Sequence, residues 1–291
     1  MESGDLRIFQ AVAREGSITK AASRLGYVQS NVTARIQQLE LELQRPLFHR
    51  SKRGMTLTSA GQNLLEHADK ILYLLDAAQK QMINNDIPNG SIKLGSVETA
   101  AAVYLPSIML NYRKQYPEVK LSLFSGYTNE LVQKVIRYEL DGAFVNGPIQ
   151  HPELDQFPVF QEEIVLISEP GSGDLTQVLN KPLLFFGVGC YVRERFESWL
   201  KEEGIPVPEI MEFGTLEAII GGVAAGLGTS ILPRSTVRKW EAEGALRVHD
   251  IPKKYSRATV YFIYRRDHFF TCAFTKFVEQ IKNVIAEASR C

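Results

Sequence analysis

The chain has 291 residues, a length that allows about two domains. Hydrophobic residues make up 45%, charged residues 23% and aromatic residues 10%, which excludes disordered, low-complexity and collagen-like chains. No apolar run approaches the roughly 20 residues of a membrane span, and the first residues lack the apolar core of a secretory signal. We therefore expect a cytoplasmic protein without membrane contact.

The distribution of charge indicates the kind of partner, and the cysteine and histidine spacing indicates whether a metal is bound. Lys+Arg and Asp+Glu are 33 each, but residues 1–58 contain nine basic and five acidic side chains, so this segment is +4 and the remainder −4. A basic head on a mildly acidic body predicts a polyanion partner for the head. Three cysteines and five scattered histidines lack the spacing of a disulfide framework or a metal site, so we expect no metal and no cofactor.

Residues 5–44 predict three helices separated by short breaks. The first ends at Gly16, and the second, KAASRLG, ends at Gly26. The third leaves polar side chains near its first turns, as in a helix-turn-helix, where Gln, Asn and Arg can bond base edges in a major groove. A small solvated helical bundle is the alternative at this point.

The next segment favours the DNA-binding alternative. Residues 46–58, PLFHRSKRGMTLT, begin at Pro46, turn at Gly54 and carry Arg50, Lys52 and Arg53. This pattern predicts a β-hairpin wing that lies along phosphates or a minor groove. A basic turn directly after a helix-turn-helix indicates a second DNA contact.

Residues 1–61 resemble the winged helix-turn-helix of the LysR-type transcriptional regulators. The positions that carry the resemblance are Phe9, Val12, Gly16, Ser17, Ala21, Ala22, Leu25, Gln29, Ser30, Val32, Thr33, Ile36, Leu39, Glu40, Leu43, Leu47, Phe48, Arg50, Leu57, Thr58 and Gly61. Two positions depart from the family pattern: Ala34 replaces a frequent basic residue, and Gln44 replaces the usual glycine. Together with the helix pattern, the resemblance predicts DNA contacts at Ser17, Thr19, Gln29, Ser30, Asn31, Thr33, Arg35, Arg50 and Arg53.

Residues 59–84 show a longer helical pattern of about three heptads. Its apolar positions predict a dimerising coiled-coil seam, the role that the resemblance also implies, through Leu64, Ala68, Ile71, Leu75, Ala78 and Met82. A helix buried against its own domain is the alternative. The polar, Pro/Gly-marked run 84–90 that follows predicts a hinge.

From Ser91, short apolar strands alternate with helices, for example a helix over 100–116 and the strand VKLSLFS over 119–125, which predicts a mostly parallel sheet. Chain returns near 147–165 and 265–270 are expected to divide this body into two α/β lobes. We expect an all-α winged helix-turn-helix DNA-binding domain over 1–58, a linker and dimerisation helix over 59–87, and an effector-binding domain over 88–291. Lobe I is predicted over about 88–160 and 267–291, and lobe II over about 161–266. Segments 141–148 and 221–233 resemble the family's effector domain, which implies a periplasmic-binding-protein-like fold.

A two-lobed α/β body binds small ligands at the carboxyl ends of its strands. The residues predicted to line this cleft are Thr99, Ala100, Ser125, Gly126, Tyr127, Thr128, Asn146, Gly147, Gly187, Val188, Gly189, Cys190, Tyr191, Thr215 and Thr229. Helix N-termini favour a small anion as effector, whereas Glu98 could favour a cation or amine. The effector itself is not identified by the sequence.

The resulting hypothesis is a transcriptional regulator that binds double-stranded DNA as a homodimer or a tetramer, responds to a small-molecule effector and contacts RNA polymerase. A redox-responsive regulator that uses Cys190 is one alternative, because a cysteine at a helix N-terminus favours thiolate formation. An enzyme built on the α/β body is another, but the sequence has no GxxxxGK[ST], GxSxG or HExxH motif, and we expect no catalytic residues.

Overall fold

The computed structural model describes residues 1–51, 54–83, 87–187 and 191–288, without the side chains of 80–83 and 287–288. The chain divides into two compact units, Met1–Ile83 and Asn84–Cys291. Within the described ranges, no helix has both the length and the apolar character that a membrane crossing requires.

The first unit begins with three helices, α1 (Ser3–Glu15), α2 (Ile18–Leu25) and α3 (Gln29–Glu42). Gly16 and Gly26 end α1 and α2 with φ of 59° and 70°, a left-handed conformation that glycine adopts without steric cost. The three predicted helices are confirmed. Their inward faces form one core, which includes Leu6, Phe9, Val12, Ala21, Ala22, Val32, Ile36 and Leu39.

The segment after α3 has the geometry of a wing. Gln44 has a φ of 52°, so this glutamine adopts the left-handed conformation that a glycine would take more easily. Strands β1 (Phe48–Ser51) and β2 (Gly54–Leu57) then pair antiparallel, and the long helix α4 (Ser59–Ile83) follows. The Met55 N–H donates to the Gly16 carbonyl at 2.8 Å, which ties the hairpin to the turn after α1.

The second unit alternates strands and helices, as predicted, but contains more of each. Its elements in chain order are β3 (Gly90–Ser96), α5 (Glu98–Val103), α6 (Leu105–Gln115), β4 (Val119–Ser125), α7 (Thr128–Ile136), β5 (Gly142–Asn146), β6 (Leu154–Ser168), α8 (Leu175–Val178), β7 (Leu183–Phe186), α9 (Tyr191–Glu202), β8 (Ile210–Phe213), α10 (Leu216–Ala224), β9 (Ser230–Pro233), α11 (Arg234–Ala242), β10 (Arg247–Asp250), β11 (Arg257–Arg265) and α12 (Cys272–Ala288).

Lobe I is built on a mixed sheet. β3 pairs in parallel with β4 and β5, whereas β11 pairs antiparallel with β5 and with the first part of β6. Helices α6, α7 and α12 pack on this sheet. The fully buried side chains of the lobe include Leu94, Tyr112, Phe144, Phe262 and Phe277.

Lobe II is built around the second part of β6. β9 and β10 pair antiparallel with β6, and β7 and β8 form a parallel pair. The Leu184 N–H donates to the Thr229 carbonyl at 2.7 Å, and the Thr229 N–H donates to the Pro182 carbonyl at 2.8 Å. These bonds join the two strand groups, so the carboxyl ends of β7 and β9 lie near one another.

The boundary of the lobes differs from the prediction. Residues 161–266 were expected in lobe II, but β11 lies between β5 and β6 in the sheet of lobe I. The chain crosses between lobes within β6 and again near 251–256, not at 265–270. The helix expected over 100–116 is also two helices, because the chain bends at Tyr104, directly before the α6 start that contains Pro106.

A buried carboxyl group lies in β6 where this strand passes between the lobes. Glu162 is 6% exposed, and the Ser235 hydroxyl of α11 lies 3.0 and 2.8 Å from its two oxygens. Tyr104 lies close to Glu162, and burial raises the pKa of Tyr104 to about 12. Burial likewise raises the pKa of Glu162, since desolvation penalises the charged carboxylate.

We expect Glu162→Gln to raise the melting temperature at pH 8 by roughly 1–3 °C. A raised folded pKa means that the stabilising contribution of Glu162 is present at low pH and is lost as pH rises through that pKa. Glutamine does not ionise, so the difference from the wild type should shrink towards pH 5. Calorimetry at both pH values checks this. A melting temperature that is lower in the variant at pH 8 would contradict it.

Candidate functional site

The first turn of α3 presents polar side chains to solvent. Gln29, Ser30 and Asn31 are exposed and Thr33 is half-buried, whereas Val32 on the same helix is fully buried. The buried side chains recur at intervals of three and four residues, so one face of α3 packs on the core and the N-terminal end of the other face remains accessible. The dimensions of an α-helix fit the major groove of B-DNA.

Hydrogen bonds fix part of this surface. The Thr19 hydroxyl donates to the Gln29 side-chain oxygen at 3.2 Å, and the Thr33 hydroxyl donates to the Gln29 carbonyl at 2.9 Å. Gln29 is therefore held by neighbours from both α2 and α3. The Ser17 hydroxyl accepts from the Lys20 N–H at 3.4 Å and caps α2, so its observed contact is structural.

Arg35 was expected to face DNA, but the structure pairs it within the unit. Its guanidinium donates to the Asp5 carboxylate of α1 at 3.1 Å, and the Arg35 side chain is 45% exposed. The pattern of α3 alone could not show this contact, because the partner lies 30 residues earlier. The Asp5 carboxylate therefore balances the positive charge of Arg35, which the sequence analysis had predicted to contact DNA.

Glu40 of α3 organises the start of the wing, a role that the sequence analysis did not assign. One carboxylate oxygen accepts from the N–H groups of Leu47 and Phe48 at 2.8 and 3.3 Å. The other oxygen accepts from Arg50 at 3.0 Å. This contact positions the predicted wing residue Arg50 beside α3, whereas Arg53 lies outside the described residues.

Helix α4 has two apolar faces. Ala68 and Leu72 are buried in the core of their own unit, which corrects the prediction for Ala68 as a seam residue. Ile71, Leu74 and Leu75 are 39%, 50% and 40% exposed, and Ala78 is also exposed. Leu64 is half-buried against the same core, and the side chain of Met82 lies outside the described residues.

A cavity of about 430 Å³ lies between the two lobes of the second unit. The predicted residues that line it are Thr99, Ser125, Gly126, Tyr127, Thr128, Asn146, Tyr191 and Thr215. They follow the carboxyl ends of strands or begin helices, as the crevice rule requires. The lining residues that were not predicted as site residues are Val97, Glu98, Glu130, Phe185, Phe186, Val192, Gly214, Ser230, Ile231, Leu232 and Pro233.

Four described residues of the predicted cleft are not among those that line the cavity. Ala100 is 1% exposed in the core of lobe I, and Thr229 is fully buried between β7 and β9. Gly147 lies behind Tyr191, since a Cβ there would be 2.6 Å from the ring. The Gly187 N–H donates to the Tyr127 hydroxyl at 3.3 Å. Val188, Gly189 and Cys190 lie outside the described residues.

The two lobes are linked at the cavity by a charged side chain. Glu98, the first residue of α5 in lobe I, accepts a hydrogen bond from the Leu216 N–H of α10 in lobe II at 2.8 Å. The Thr215 hydroxyl accepts from the Ala218 N–H at 3.2 Å and caps the same helix. In the neighbouring part of lobe I, the Thr128 hydroxyl accepts from the Asn146 N–H at 3.3 Å.

Comparison with known proteins agrees with this arrangement. The family described as "Bacterial regulatory helix-turn-helix protein, lysR family" matches residues 3–62, and "LysR substrate binding domain" matches residues 85–286. The HTH-type transcriptional regulator YofA of Bacillus velezensis is 53% identical over 282 residues, which cover 97% of this chain and 98% of the relative.

Solved structures share the fold at lower identity. A full-length OxyR variant from Pseudomonas aeruginosa aligns with a TM-score of 0.71 and 24% identity, over 98% of this chain and 94% of the other. Full-length CbnR in complex with its target DNA aligns with a TM-score of 0.66 and 23% identity, over 98% and 100% of the chains. A helix-turn-helix unit followed by a two-lobed effector unit, with both family matches, shows that the chain belongs to the LysR family of HTH-type transcriptional regulators.

Proposed function

We propose that the first turn of α3 reads base edges in the major groove through Gln29, Ser30, Asn31 and Thr33. The observation that carries this proposal is the exposure of Gln29, Ser30 and Asn31, with the half-buried Thr33 beside them, on a helix whose opposite face is buried. Amide and hydroxyl groups can donate and accept at base edges. The hydrogen bond from Thr19 to Gln29 supports a pre-positioned amide, which lowers the entropy lost on binding.

The hairpin after α3 is proposed as the second contact with DNA. Arg50 is 44% exposed and is held by Glu40, and Arg53 comes between the residues of β1 and β2 in the sequence. Guanidinium groups bind phosphates without regard to base sequence and release counterions. The wing therefore contributes affinity and α3 contributes specificity.

The exposed apolar face of α4 is proposed as the dimer seam. Ile71, Leu74, Leu75 and Ala78 form a continuous patch that the core of their own unit does not use. Helices with such a stripe associate by packing it against a second copy. Two copies then present two basic heads to a partly palindromic site, and two dimers form a tetramer on longer sites.

The cavity of the second unit is proposed as the effector site. It is enclosed by residues of both lobes, so a bound molecule favours one relative placement of the lobes over another. A change in lobe placement alters the spacing of the DNA-binding heads and their access to RNA polymerase. In this proposal, 1–58 is the DNA-binding domain, 59–87 the linker and dimerisation helix, and 88–291 the effector domain.

Gel-shift titration of the full chain on its own upstream DNA, at several salt concentrations, tests the regulatory function. A specific site should bind about 10³-fold or more tightly than unrelated DNA of equal length. The affinity should fall with salt on both, because phosphate contacts are shared. Equal affinity for the two DNAs would contradict sequence-specific regulation.

We expect Gln29→Ala to weaken binding to the specific site by about 10-fold and to leave binding to unrelated DNA nearly unchanged. The reason is the loss of base-edge hydrogen bonds without loss of a phosphate contact. Gln38→Ala is the matched control, since Gln38 is also an exposed glutamine of α3 but lies far from its first turn. Equal losses for the two variants would show that the groove assignment is wrong.

A further inference from the structure

Two of the described helices that begin at the cavity, α10 of lobe II and α7 of lobe I, have a carboxylate close to their N-terminus. Glu98 accepts the Leu216 N–H at the start of α10, where the Thr215 side chain holds the Ala218 N–H. At the start of α7, Glu130 packs against the backbone, since a Cβ on Gly126 would lie 2.9 Å from its carboxylate oxygen. Helix N-termini attract anionic ligands, and at α10 the Glu98 and Thr215 side chains already hold the first N–H groups.

The two carboxylates differ in how their charge is compensated. Lys134 lies 3.8 Å from Glu130 in the same helix, so this charge has a basic partner. Glu98 forms no ion pair with any described residue, and its contact with Leu216 uses only one carboxylate oxygen. The second carboxylate oxygen lies at the cavity wall, where the Glu98 side chain is half-buried. Glu98 is therefore a carboxylate without a basic side-chain partner among the described residues, and one of its oxygens remains available to a ligand.

The other described residues of the wall supply shape and apolar surface but no positive charge. None of them is a lysine or arginine. Tyr127, Phe185, Phe186 and Tyr191 contribute aromatic side chains, and further apolar side chains come from β9. An apolar cavity with one charged group fixes the orientation of a ligand through that group.

We infer that the effector of this cavity is an organic cation, an amine with an apolar or aromatic body, and that Glu98 is the residue that selects its charge. This inference rests on the proposed role of the cavity as effector site. An ammonium group would pair with the free oxygen of Glu98 and lie against the aromatic rings, which attract cations. A carboxylate in the same position would meet the like charge of Glu98, and the first N–H groups of α10 are already bonded to Glu98 and Thr215.

The test compares amines with carboxylates of matched shape on the full-length protein. The probes are tryptamine with indole-3-acetate, and phenethylamine with 3-phenylpropanoate, measured by thermal shift and titration calorimetry in a buffer with EDTA. We expect the amines to stabilise the protein more than their carboxylate counterparts. Glu98→Gln should weaken amine binding by about 10-fold or more, because the ion pair is lost.

Two controls distinguish a loss of charge selection in the cavity from a change in the stability of the protein. In Glu98→Gln, the amide oxygen that replaces the carboxylate can still accept from the Leu216 N–H, so the unliganded melting temperature should stay near that of the wild type. Glu118→Gln, which changes an exposed acid of lobe I outside the cavity, should leave amine binding unchanged. An unchanged amine affinity in Glu98→Gln would overturn the inference.

The outcomes also distinguish the inference from the proposed function. Tighter binding of the carboxylates would overturn the charge assignment and leave the cavity as an effector site. Stabilisation by zinc or calcium ions alone in the absence of EDTA, without any response to amines, would overturn the organic-cation class. No response to either set of organic probes would overturn the inference and count against the effector role itself.

Discussion

Leu75→Glu is expected to convert the dimer into monomers without unfolding the first unit. Leu75 is 40% exposed and lies beside Ile71 and Leu74 on the face of α4 that its own core does not use. Glutamate at this position costs little in a monomer, because the side chain meets water. In the proposed seam, two carboxylates would lose their hydration and repel each other, which raises the dimer dissociation constant by about 100-fold or more.

The loss of the dimer has a second consequence on DNA. Two linked heads bind two half-sites with the second contact made at a high effective concentration, and a monomer loses this gain. We expect the affinity for the full site to fall by about 100-fold and to approach the affinity for a half-site. Sedimentation measures the mass, gel shift measures the affinity, and the far-ultraviolet circular dichroism spectrum should not change.

Leu41→Glu is the matched control for this prediction. Leu41 is 78% exposed and belongs to α3 of the same unit. Its replacement by glutamate introduces the same charge at an apolar position outside the proposed seam. This control should sediment as a dimer. A dimeric mass for Leu75→Glu, or monomers with both variants, would reject the exposed face of α4 as the specific interface.

The spacing of apolar residues and of glycines along the sequence predicted those helices and strands that bury one face and expose the other. The helices of residues 5–44 follow from apolar spacing and from two glycines that must adopt positive φ. The strand VKLSLFS was predicted over 119–125 and is found over those residues. In each case, the information lies within about ten residues of sequence.

Contacts between distant segments were not predictable in this way. The two-fold alternation of β11 is the same whether the strand lies in lobe I or lobe II, so its pairing with β5 could not be inferred. The heptad pattern of α4 likewise did not distinguish Ala68, which faces its own core, from Ile71, which faces solvent.

The chemistry of the candidate sites depended on the same long-range contacts. Arg35 pairs with Asp5, which lies 30 residues away in the sequence. Glu98 accepts a hydrogen bond from the Leu216 N–H, which lies 118 residues away. The sequence alone left open whether the cleft prefers an anion or a cation. The contact made by Glu98 favours the cation, because it fills the N-terminus of α10, one of the helix starts on which the preference for an anion depended.

Gly61→Ala is expected to destabilise the first unit strongly although alanine is the better helix former. Gly61 lies in the first turn of α4, and a Cβ there would be 2.1 Å from the Leu47 carbonyl oxygen and 2.9 Å from the Leu57 side chain. The same turn is held by Thr58, whose hydroxyl donates to the Pro46 carbonyl at 2.7 Å and accepts from the Gly61 N–H at 3.0 Å.

Because the nearest obstacle is the backbone carbonyl of Leu47, it cannot move aside by a change of rotamer, whatever the Leu57 side chain does. The helix start or the wing must shift, and such overpacking costs about 3 kcal/mol, or roughly 15 °C in the melting temperature of a unit of this size. Displacement of the wing should also remove specific DNA binding at temperatures where the unit remains folded. Calorimetry of the full chain and gel shift measure the two effects.

Gly4→Ala provides a control of opposite sign. Gly4 is also in the first turn of a helix, α1, but a Cβ there has no heavy atom within 4 Å. Alanine at this position should stabilise the unit by about 0.5–1 kcal/mol, since it reduces the freedom of the unfolded chain and clashes with nothing. If Gly61→Ala proved as stable as Gly4→Ala, the close approach of α4 to the segment before the wing could not be the contact that fixes the wing in place.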